Sequence, residues 1–89
     1  MSHISIAHQN IVATEFQDGD GVLVDLNTKH YFQLNETAML VWRALEQGQN
    51  VDDIARQLCA RYEVTPEHAV ESVNRTIELL RSYKVLASN

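Results

Sequence analysis

The chain has 89 residues, is 45% hydrophobic and carries a net charge of −5 from 12 acidic and 7 basic residues. That length supports one small domain with one core, burying about 60–65% of the unfolded surface and leaving little room for a multi-step active site. The charges are interspersed, with no like-charge run longer than Asp52-Asp53, which argues against a phosphate-binding surface; the lone Cys59 excludes an intramolecular disulfide and any C-x-x-C pair.

Residues 1–10 are polar and aperiodic and are expected to form a flexible arm ahead of a domain spanning 11–87. They have neither a basic start nor a continuous apolar stretch, so no signal peptide or membrane span is read and a reducing, cytoplasmic setting is expected. Ile11 to Phe16 reads as a first strand, followed by the turn segment Asp18-Gly19-Asp20-Gly21. Two apolar runs, about 21–26 and 30–34, then flank Asn27-Thr28-Lys29 as a hairpin. A three-residue loop would pair Leu26 with His30, Val24 with Phe32 and Val22 with Leu34 on the core face, leaving Leu23, Asp25, Tyr31 and Gln33 on the other. That loop places Lys29 in the left-handed region where glycine is the usual choice.

Asn35 is placed to cap a helix over 36–47, with Leu34 stapled onto Met39, a stripe of Ala38, Val41, Trp42 and Leu45, and Gly48 at its end. A second helix opens at Asn50, carries Asp52 and Asp53 in its first turn, and runs to Tyr62 with the stripe Ile54, Ala55, Leu58, Cys59 and Tyr62. The third follows Thr65 as N-cap and Pro66 as first helical residue, with Val64 stapled onto Ala69 and the stripe Ala69, Val70, Val73, Ile77 and Leu80; Tyr83 to Ala87 is an apolar tail. The order β-β-β-α-α-α is an α+β arrangement, three helices on one face of a three-stranded antiparallel sheet, with a winged helix-turn-helix-like layout.

Catalytic and metal chemistry find no foothold. His3, His8, His30 and His68 lack paired ligand spacing, Cys59 sits on a helix stripe as a buried and inert residue, and neither a nucleophile elbow nor a glycine-rich phosphate loop is present. A DNA-binding regulator is the competing class, but its recognition helix would set Glu67, Glu71 and Glu78 against Arg75 and Arg81, the wrong balance for phosphates. A protein-protein adaptor or dimerisation module is the third.

The segment from Gly21 to Leu34 carries an acidic residue closing a hairpin strand (Asp25), a short turn, the aromatic pair Tyr31-Phe32 and then Leu34-Asn35. Trp42, Leu45 and Gly48 follow, then Val51, Ile54, Leu58 and Tyr62, then the ending Tyr83-Lys84-Val85-Leu86. Over about residues 12–86 this pattern resembles the PqqD family, the small peptide-binding domains also called RiPP recognition elements. It departs at Lys29 and Ala38, where the family commonly has glycine. Its Tyr-Phe-Gln-Leu-Asn form looks more like stand-alone members of lasso-peptide and related pathways than like the PQQ-pathway protein.

The resemblance implies a non-catalytic protein without cofactors, which binds the leader of a ribosomally made precursor peptide and presents it to a modifying enzyme, a leader peptidase, cyclase or radical SAM enzyme. Nucleic acid and membrane are not expected partners, and a homodimer is left open. In that family the leader adds as an antiparallel strand beside the third strand, against the third helix. The residues implied here are His30, Tyr31, Phe32 and Gln33 on the strand, with Val70, Val73 and Ile77 as an apolar floor and Asn74 and Arg81 holding polar or acidic side chains.

Overall fold

The computed structural model describes residues 6, 7 and 9–87. Strands β1 (Ile11–Glu15), β2 (Gly21–Asp25) and β3 (His30–Leu34) form an antiparallel sheet in the order β1-β2-β3, and helices α1 (Glu36–Glu46), α2 (Val51–Arg61) and α3 (Pro66–Ser82) follow. The expected α+β architecture is therefore the observed one. No described helix is long and apolar enough to cross a membrane.

Every helix starts where its cap residue dictates. Asn35 Oδ1 accepts the Ala38 N–H at 2.8 Å, Asn50 and Asp53 form a reciprocal capping box, and Thr65 Oγ1 accepts from His68 N–H at 3.2 Å ahead of Pro66. Helix α1 ends in a Schellman motif: Gly48 N–H donates to the Leu45 carbonyl and Gln49 N–H to that of Ala44, with Gly48 at φ +78°. Helix α3 ends the same way with Lys84 at φ +60° in the glycine position.

The β2–β3 register differs from the expected one. Leu23 pairs with Phe32, Asp25 with His30 and Gly21 with Leu34, so the loop has four residues, Leu26 to Lys29, and Lys29 takes its positive φ of 66° within that longer loop. The cause is Asp25. Buried at 4% exposure, its Oδ1 accepts the Asn27 N–H at 2.9 Å and the Thr28 N–H at 3.3 Å, while its carbonyl accepts the Lys29 N–H at 2.7 Å. Those bonds close the loop one residue earlier and flip β2, so that Gly21, Leu23 and Asp25 face the helices while Val22, Val24 and the exposed Leu26 lie on the outer face.

Gly21 fits this arrangement because a Cβ there would stand 2.6 Å from Met39 Sδ and 2.5 Å from the Thr14 carbonyl oxygen; α1 rests directly on the β2 backbone. The core extends from Leu23 and Leu34 through Met39, Val41, Trp42 and Leu45 to Ile54, Leu58, Val73, Ile77, Leu80 and Val85. Part of the expected N-terminal arm, residues 1–5 and 8, lies outside the described residues. Ile6 bridges to Leu86, and Ala7 N–H donates to the Val85 carbonyl at 3.0 Å.

The outer ends of α1 and α2 are joined through Glu36, whose Oε2 accepts from the Tyr62 hydroxyl at 2.9 Å and from Arg61 at 3.2 Å. Partial burial first, then the hydrogen bond to that carboxylate, raises the Tyr62 hydroxyl above its ordinary pKa of 10.0. A raised pKa favours the neutral phenol in the folded state, so this contribution is complete below the unfolded value and lost as pH rises through the folded one. Replacing Tyr62 with Phe should lower stability by about 0.5–1 kcal/mol at neutral pH. In urea melts that difference should shrink above about pH 10; a constant difference to pH 11 would refute the Glu36 bond.

Candidate functional site

The hydrogen-bond phase of the sheet decides which backbone groups remain open. Leu26 N–H donates to the Asn10 carbonyl at 2.9 Å and Phe16 N–H to that of Asp20 at 2.7 Å, which extends the β1–β2 register at both ends. Val22 and Val24 therefore bond β1, and Gly21, Leu23 and Asp25 bond β3 through Leu34, Phe32 and His30. Tyr31 and Gln33 are left pointing their N–H and C=O groups away from the sheet, since β3 is an edge strand.

Side chains alternate along that edge. Tyr31, at 73% exposure, and Gln33 lie on the outer face, while His30 and Phe32 lie on the helix side. Phe32 is half-buried and stacks on the Tyr83 ring at 4.3 Å with 15° between planes, and exposed His30 stands edge-on to Phe32 at 6.2 Å and 77°. The stack ties the middle of β3 to the C-terminal end of α3.

That contact shows which side of the α3 C-terminus meets the edge. Ser72, Thr76, Leu79 and Tyr83 recur at helical spacing and form one row, the one that Tyr83 brings toward Phe32. Val70, Asn74, Ile77 and Arg81 form a second row, offset by two residues and so about 160° around the helix. Val70 lines a cleft of about 570 Å³ with Pro66 and with Ala55, Cys59 and Ala60 of α2. Val70, at the start of the second row, thus faces α2.

The structure thereby separates the residues that the family resemblance grouped. His30, Tyr31, Phe32 and Gln33 stand on one open edge as expected. Val73 is fully buried and Ile77 is 3% exposed, so both belong to the core. Val70 faces α2, Asn74 is exposed, and Arg81 is ion-paired to Glu78 at 2.9 Å on the side away from Tyr83. Cys59, expected to be buried, is half-exposed in the α2/α3 cleft. Sequence reasoning missed Leu79 and Tyr83. The signal was available in Leu79, an apolar residue off the buried stripe that remains 42% exposed. Among the described residues no group of His, Cys, Asp and Glu is arranged to hold a metal ion.

A family model described as coenzyme PQQ synthesis protein D (PqqD) matches residues 20–86, which contain the hairpin, all three helices and the tail. The chain belongs to the PqqD family. Two solved structures resemble this PqqD-family chain closely in fold. One is TbiB1 in complex with the TbiA(beta) leader peptide, at 25% identity over 96% of each chain with a TM-score of 0.83. The other is a lasso peptide synthetase B1 complexed with the leader peptide, at 25% identity over 98% of this chain and 100% of that one, also with a TM-score of 0.83. No curated protein matches the chain.

If the open side of α3 is the row ending at Tyr83, two substitutions should behave differently. Leu79→Glu should leave stability within about 0.5 kcal/mol of the parent, as for other surface changes. Val73→Glu should be destabilised by several kcal/mol through an unpaired buried charge. Equal destabilisation in urea melts would show that Leu79 is part of the core.

Proposed function

We propose that this PqqD-family protein binds the leader region of a ribosomally synthesised precursor peptide as an added strand on β3 and presents it to a modifying enzyme, without catalysing a reaction itself. The observation that carries this reading is the pair of outward-facing backbone groups at Tyr31 and Gln33, on an edge strand whose Phe32 stacks on Tyr83 beside the exposed Leu79. An extended peptide satisfies those donors and acceptors. Its alternate side chains enter the space beside Phe32, Leu79 and Tyr83, where selectivity arises. The likeness to two proteins described as leader-peptide complexes supports the same ligand class.

The partners in the reading are the precursor leader and an enzyme that acts on it, a peptidase, cyclase or radical SAM enzyme. A helix-turn-helix reader of DNA is disfavoured by the exposed face of α3, where Glu71 and Glu78 already pair with Arg75 and Arg81 and Glu67 adds further negative charge.

Proline scanning of β3 tests the mode directly. Gln33→Pro removes a donor that no neighbouring strand uses, so the protein should fold and lose peptide binding by tenfold or more, whereas Phe32→Pro breaks a bond to Leu23 and should lower stability by about 3 kcal/mol. A Gln33→Pro protein that is folded by amide spectra and binds the cognate leader with parental affinity would refute strand addition at this edge.

A further inference from the structure

All five arginines of the chain are ion-paired: Arg43 with Glu15, Arg56 with Asp53, Arg61 with Glu36, Arg75 with Glu71 and Arg81 with Glu78. The two lysines, Lys29 and Lys84, have no such partner among the described residues and are both exposed. They are also, among the described residues, the two non-glycine residues at positive φ, at 66° and 60°, in a hairpin loop and a helix C-terminus where glycine would be the less strained choice. A long cationic side chain is thus retained twice in a conformation that disfavours it, a pattern that points from strain toward function.

Each lysine is one residue from a side chain of the β3 edge cluster His30, Phe32 and Tyr83. Lys29 immediately precedes His30, and Lys84 immediately follows Tyr83, whose ring stacks on Phe32. The tail beyond Lys84 pairs with Ile6 and Ala7, which lead within three residues to Asn10, the acceptor of the Leu26 N–H at the start of the hairpin loop. The acid closest in sequence to Lys29, Asp25, is buried and holds the turn. Glu78, the acid closest to Lys84, is engaged by Arg81.

We propose that Lys29 and Lys84 form a cationic clasp at the hairpin end of the β3/α3 groove that takes an acidic side chain of the bound peptide. The clasp replaces Arg81 and Asn74 as the group that reads negative charge, because those two lie on the far side of α3. This rests on the strand-addition reading and adds to it a charge requirement at one end of the peptide. In a protein with net charge −5, two uncompensated cations beside the binding edge also orient an acidic peptide as it approaches.

The test uses peptides selected for binding the full chain from a displayed library of random 16-residue sequences at low salt. Bound peptides should perturb the Tyr31 and Gln33 amides and carry an Asp or Glu toward one end. Changing that acid to its amide, or making Lys29→Gln with Lys84→Gln, should each weaken binding about three- to tenfold, the scale of one or two exposed ion pairs, with non-additive combination and a shallower salt dependence. Lys29→Gly and Lys84→Gly supply an opposite-sign control: both should melt at higher temperature while binding more weakly. Peptides that perturb Tyr31 and Gln33 but bind the lysine variants as tightly as the parent would overturn the clasp and leave strand addition intact. Selected peptides that leave both amides unmoved would overturn strand addition itself, and the clasp with it.

Discussion

A buried carboxylate sets the register on which the rest of the molecule depends. Asp25 is only 4% exposed, yet it holds two loop N–H groups through Oδ1 and a third through its carbonyl, so it ends β2 at one position and no other. A slip of one residue would carry Leu23 out of the core and put Val22 and Val24 into it. It would also exchange which backbone groups of β3 face β2 and which face outward. The open groups at Tyr31 and Gln33 therefore follow from a turn several residues away.

From that register the other elements fall into place. Gly21 arrives under Met39 and lets α1 lie against the β2 backbone, while Leu23 and Leu34 meet the apolar face of α1. Helix α3 is anchored by its buried stripe of Ala69, Val73, Ile77 and Leu80, and by the tail in which Val85 is fully covered and Tyr83 stacks on Phe32. The result is an edge strand and a helix row, Thr76, Leu79 and Tyr83, that meet at the Phe32 stack and leave backbone polar groups and apolar surface exposed together. Those are the two complementary features that an extended peptide needs.

Element order and helix boundaries were legible in the sequence because they rest on local chemistry. Asn35, Asn50, Thr65-Pro66 and Gly48 each act within four residues of their own position, and the stripes they bracket follow a simple period. The hairpin register was not legible by face-sorting alone: a three-residue loop gathers more apolar residues on one face, and only the buried role of Asp25 shows that Val22 and Val24 belong on the other. The family resemblance pointed to His30 to Gln33, which form an edge strand, and to residues of α3 of which Val73 and Ile77 are buried and Arg81 is ion-paired. Helical periodicity identifies a buried stripe without saying what flanks it on either side, and the Phe32–Tyr83 stack that decides the matter is a long-range contact between residues 32 and 83.

Strand addition would place a peptide on the backbone groups of Tyr31 and Gln33, and amide hydrogen exchange reads those groups individually. In the free protein the Tyr31 and Gln33 amides should exchange far faster than that of Phe32, which bonds β2; with the cognate leader peptide added they should become protected while Phe32 changes little. Tyr31 and Gln33 amides that still exchange rapidly in the complex, with new protection appearing on α1 or in the α2/α3 cleft instead, would contradict it.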